Sequence, residues 1–106
     1  MRYLLLLAAL LTFQSVNAFD FDDTKVLADQ GYAKAQSNLG LMYADGEGVP
    51  ENNIHAYVWW SMAKTQSHEY AKVNLEILKP QMTKQQIAEA QSLAAQCYES
   101  DYKDCD

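Results

Sequence analysis

One pattern occurs twice in this chain, and its spacing limits the fold more tightly than any other feature. Ala71-Lys-Val-Asn74-Leu75 repeats Ala35-Gln-Ser-Asn38-Leu39 at an offset of thirty-six residues, and Ile77 and Leu78 then fall on Leu41 and Met42. A fixed period of this length is the signature of stacked helical units. Within the first copy Ala35, Leu39 and Met42 recur at helical spacing, and after a short interruption Ala56, Trp59 or Trp60, and Ala63 do the same. The interruption holds Gly46, Gly48 and Pro50, and Asn52 stands where an N-cap is wanted. The expectation is two amphipathic helices around one turn, with helices over about 33–44 and 53–66 and a loop over 45–51.

Gly40 sits inside the first of these helices, where glycine costs about 1 kcal/mol against alanine. Its expected role is to let the partner helix come close, with Gly40, Ala56 and Ala63 receiving Leu39, Tyr43 and Trp59. Upstream, Asp20, Asp22 and Asp23 crowd the start of a helix expected to reach about Gln30, where carboxylates complement the positive end of the helix dipole. Gly31 is its expected stop. Downstream, Pro80 ends the second copy's first helix, Thr83 and Gln86 form a capping box, and Met82 can staple against Ile87. The last helix, expected over 84–99, carries Ile87, Ala90, Ala94 and Cys97 along one stripe.

The residues Ala35-x-x-Asn38-Leu39-Gly40-x-Met42-Tyr43, then Gly46-x-Gly48-Val49-Pro50, then Ala56-x-x-Trp59 resemble the Sel-1-like repeat, a helix-turn-helix relative of the tetratricopeptide repeat. The match is dense from Leu27 to Lys64. The resemblance implies an all-α fold of αα-hairpins stacked into a right-handed superhelix, with about two repeats and an N-terminal helix as a cap. It implies a role in holding other proteins, and it brings no catalytic residues. The second copy departs from the pattern: Lys79-Pro80-Gln81-Met82 replaces the glycine turn and no tryptophan follows, so it reads as a degenerate terminal repeat. Short exported bacterial members of the family end in a similar threonine-capped, alanine-rich helix with a cysteine-bearing tail.

Residues 1–18 have the form of a signal peptide: Met1-Arg2, an apolar run from Tyr3 to Phe13, and small side chains at Val16-Asn17-Ala18. Cleavage is expected after Ala18, leaving a repeat domain over 19–106, periplasmic or secreted. The apolar run is shorter than the roughly twenty residues a bilayer requires, so no membrane insertion is expected after cleavage. Loss of Arg2 leaves seven lysines against fourteen acidic residues, a net charge of minus seven. That balance argues against nucleic acid and anionic lipid, which need clustered Lys or Arg, and leaves a basic partner open. Cys97 and Cys105 are expected to form one disulfide pinning the tail.

Chemistry finds little purchase. His55 and His68 show no i, i+4 pair and no Cys-x-x-Cys accompanies them, so no metal or other cofactor is expected. Asp45, Glu47 and Glu51 cannot make an EF-hand loop across Val49-Pro50 and read as a turn with solvated carboxylates. A reactive thiol needs a basic setting, whereas Cys97 lies near acidic residues. The reading is therefore of a non-enzyme that binds a protein or peptide partner. Asn38, Tyr57 and Trp60 are its candidate contacts, in a groove between the helices. Trp59 is assigned to the core and Trp60 partly outside it, in an aromatic patch with Tyr32, Tyr57 and Tyr70. The more ordinary role of Asn38, and of its counterpart Asn74, is a cap or interhelix hydrogen bond. An envelope hydrolase or a secreted effector with an unrecognised site is the competing class, though no residue spacing selects a catalytic pair. Two hairpins offer a small concave surface, which self-association or docking onto a larger assembly would extend.

Overall fold

The computed structural model describes residues 20–106, and the signal-peptide expectation for 1–18 lies outside them. The described chain is all-helical: α1 (Phe21–Asp29), α2 (Ala33–Asp45), α3 (Asn53–Thr65), α4 (Glu69–Leu78), a 3-10 turn (Lys79–Gln81) and α5 (Lys84–Glu99). Four of the five helices, all but α2, begin on a side-chain cap. The Asp20 carboxylate accepts from the Asp23 N–H at 3.3 Å, and the Asn52 side chain accepts from the His55 N–H at 3.0 Å. Thr83 and Gln86 exchange side-chain and backbone hydrogen bonds at 3.0 and 2.9 Å, forming the expected capping box. The His68 Nδ1 caps α4 by accepting from the Ala71 N–H at 3.3 Å. Gly46 ends α2 in the left-handed region at φ 73° and donates its N–H to the Met42 carbonyl at 2.8 Å.

The central element is α3. It packs most extensively on α2 and also receives α4 and α5. A helix covered on several sides must be apolar nearly all round, and Ala56 through Trp60 are buried without a break. The expectation that Trp60 lies partly outside the core is therefore corrected: it is 4% exposed, and Tyr57 is 6% exposed. The seam partner of Gly40 is corrected with it. A Cβ placed on Gly40 would lie 2.5 Å from Trp60 Cδ1, so the side chain nearest the glycine is the Trp60 indole, which the expected seam did not include. The indole is held there by its Nε1, which donates to the Ser37 carbonyl at 3.0 Å.

Burial repeats with the sequence period. Leu39 is 0% and Leu75 2% exposed, Ala35 and Ala71 are both buried, as are Met42 and Leu78, and Asn38 and Asn74 are both half-buried. The final helix makes its main contact with α3 and not with its chain neighbour α4. The second pair of helices thus leans jointly on α3.

The C-terminal tail folds back onto the turn between α1 and α2. Cys97 and Cys105 are bonded, and the Tyr102 N–H donates to the Cys97 carbonyl at 2.9 Å, which turns the tail back. A Cβ on Gly31 would meet the Tyr102 ring at 3.2 Å, so the returned tail rests on the turn between α1 and α2. A glutamine relay ties the same turn to α3. Gln66 Nε2 donates to the Gly31 carbonyl at 2.8 Å and to Gln36 Oε1 at 2.9 Å, while Gln36 Nε2 donates to the Ala28 carbonyl at 3.2 Å. Gln36 is fully buried, and these bonds satisfy an amide that would otherwise cost about 1–3 kcal/mol.

Candidate functional site

The outward face of α2 forms the floor of a trough. Lys34, Asn38 and Leu41 share one side of that helix, and each lines one or more of three cavities of about 360, 410 and 240 Å³. The 360 Å³ cavity lies against α1, with Thr24, Leu27 and Tyr32 on its lining. The 410 Å³ cavity runs between the start of α1 and the α2–α3 loop, lined by Asp20, Asp22, Glu47 and Gly48. The 240 Å³ cavity reaches α4, with Asn74 and Ile77 on its lining, together with Asp45 and Glu51. Asn38 lines the first two of these and Leu41 the last two, so the trough is continuous from α1 across α2 to α4.

The loop wall is set by glycine. Gly48 adopts φ +74°, and a Cβ there would meet Phe21 Cβ at 3.2 Å. The loop therefore lies close against the first turn of α1 and brings Glu47 up beside Asp20 and Asp22 on the same cavity.

Of the three candidate contacts, the structure leaves one at the surface. Asn38 is half-buried at the junction of two cavities, and no hydrogen bond to its amide is formed among the described residues. Trp60 touches the trough only as part of the 240 Å³ lining, and Tyr57 lines none of these cavities. The expected aromatic patch is not assembled: Tyr32 and Tyr70 are exposed while Tyr57 and Trp60 are core. Asn74 does not make the expected cap or interhelix bond, because its Nδ2 is buried without a partner. Ile77 is 59% exposed, beside Tyr70 and Val73 on the same helix, and sequence reading did not single it out as a contact. Its signal was the period itself, which places Ile77 on Leu41 and so on the same face of its helix.

A second cluster sits at the tail. The His55 ring stacks on Tyr43 with centroids 5.1 Å apart, Phe21 meets Tyr43 edge-on at 5.6 Å, and His55 Nε2 lies 3.9 Å from the Asp106 carboxylate. Burial, aided by the negative charges of Asp106 and then Asp29, raises the Tyr43 phenol above its usual pKa. A phenol shifted in that direction stays protonated, which is opposite to what a base or nucleophile requires. Among the described residues no group of three or more His, Cys, Asp or Glu is placed to hold a metal ion. Among them, too, no helix is long and apolar enough to cross a membrane.

No protein-family model matches this chain, and no curated protein matches it.

Proposed function

We propose that this protein is an exported helical-repeat protein of the Sel-1-like kind, whose function is to hold another protein along the trough formed by α1, α2 and α4. In this reading α2 and α3 form one αα-hairpin, α4 and α5 form a degenerate terminal unit, and α1 caps the open end. The matched burial of residues thirty-six apart supports the repeat architecture. The Cys97–Cys105 disulfide supports export, because such bonds persist in oxidising compartments.

The observation that carries the docking role is the continuous trough itself. It exposes Leu27 and Ile77, and it leaves the half-buried Asn38 amide without a partner among the described residues. A surface of that kind gains from being covered by a chain that buries the apolar groups and supplies hydrogen bonds. Trp60 contributes indirectly, by its hydrogen bond from α3 to the Ser37 carbonyl of α2 beneath it.

Site-specific photo-crosslinking in the producing cell tests this. A crosslinking side chain at Asn38 or Ile77 should give a discrete adduct that is absent when the same group replaces Glu89 on the exposed side of α5. Equal yields from all three positions would refute the docking role.

A further inference from the structure

We infer that the trough takes a basic partner: a polypeptide segment in which lysine or arginine side chains are interspersed with apolar ones. This rests on the docking role proposed above and specifies the chemistry of the occupant. Asp20, Asp22 and Glu47 line the central cavity, Asp23 the one against α1, and Asp45 and Glu51 the one that reaches α4. Against these six carboxylates Lys34 is the one cation on the three linings. None of the six forms an ion pair among the described residues. The carboxylates that do, Asp29, Glu76 and Asp106, lie off the trough.

That distribution decides between partners. A neutral or acidic segment laid over the trough would take unpaired carboxylates out of water and return nothing for it, whereas cationic side chains replace the lost hydration. The charges are spread along the trough and are not gathered at one point, and no set of them is placed to hold a metal ion. A string of separate cations on one chain fits this better than a single multivalent ion. Between the charges lie Leu27, Leu41 and Ile77, which suit apolar side chains.

Fluorescence anisotropy with three labelled synthetic peptides tests the inference. The peptides are matched in length and leucine content and carry lysine, serine or glutamate at the remaining positions. The purified protein should bind the lysine peptide saturably, and the serine peptide about tenfold more weakly or worse. Glu47→Lys/Glu51→Lys should raise the Kd of the lysine peptide about tenfold, since two rim attractions of modest size each become repulsions. Glu89→Lys/Glu99→Lys makes the same change in net charge on exposed positions of α5 and should alter the Kd less than about twofold. Lys34→Glu should tighten binding. Equal weakening by both double variants would reduce the effect to overall charge and overturn the inference, as would failure of the lysine peptide to bind. Serine or glutamate peptides that bind as tightly, and lose binding in Leu41→Arg/Ile77→Arg, would overturn the basic preference while leaving the docking role intact. Crosslinking from positions 38 and 77 judges that role separately.

Discussion

Gly40→Ala should destabilise this protein, although alanine is the better helix former. At an exposed position in the middle of a helix the substitution would stabilise by about 1 kcal/mol. Here the new methyl would lie 2.5 Å from Trp60 Cδ1, 2.6 Å from Nε1 and 2.8 Å from Cγ, roughly 1 Å inside van der Waals contact at each atom. The indole cannot simply step aside, because it is 4% exposed and its Nε1 is engaged by the Ser37 carbonyl. Overpacking of this kind costs about 1–3 kcal/mol, and displacing the ring risks a buried hydrogen bond worth about 1 kcal/mol more. After the helix-propensity gain is subtracted, a net loss of about 1–3 kcal/mol remains. In a domain of this size each kcal/mol corresponds to about 4–8 °C in Tm. Urea denaturation followed by tryptophan fluorescence measures the loss, and a double-mutant cycle with Trp60→Phe locates it. The smaller ring should tolerate the methyl better, giving a coupling of at least about 0.5 kcal/mol. A Gly40→Ala variant as stable as the parent, or strict additivity in the cycle, would refute the assigned seam.

Cys97→Ser/Cys105→Ser should cost about 2–3 kcal/mol in the chain-entropy account and should raise hydrogen exchange at Tyr102 and at the Gly31 turn on which it rests. Unchanged exchange at Gly31 would separate the tail from that turn. Gln36→Leu should destabilise by about 1–3 kcal/mol despite its hydrophobic gain, because the Ala28 carbonyl and Gln66 lose their buried partner; urea midpoints report it. Tyr43 has a pKa raised above 10.0, so the folded state holds that proton more tightly than the unfolded chain does. Its contribution is present in full below the unfolded value and is lost as pH rises through the folded one. Urea midpoints should therefore fall in alkali, and Tyr43→Phe should flatten that part of the curve.

Local chemistry was legible in the sequence. The Asn52 cap, the Thr83–Gln86 box, the Gly31 stop and the bounds of α5 all depend on neighbours within about four residues, and the structure shows each of them. The disulfide was legible because only two cysteines exist. Contacts between distant segments were not. Trp60 looked half-exposed because a helical wheel assumes one covered face, whereas α3 is covered from α2, α4 and α5. The Gln36–Gln66 bond joins residues thirty apart, and glutamine carries no burial signal of its own. Gln36 does share helical spacing with Gly40 and Tyr43, which would have placed it on the buried side of α2. The trough's acidic wall was visible only as scattered carboxylates, because Glu47 meets Asp20 and Asp22 through the fold of a loop.

The most direct test of the account is a backbone-amide NMR titration of the protein with the partner recovered by crosslinking. The largest shifts are predicted at Asn38, Leu41, Asn74 and Ile77, with α5 unmoved. Shifts concentrated on α5 or the tail, with the α2 and α4 faces silent, would contradict it.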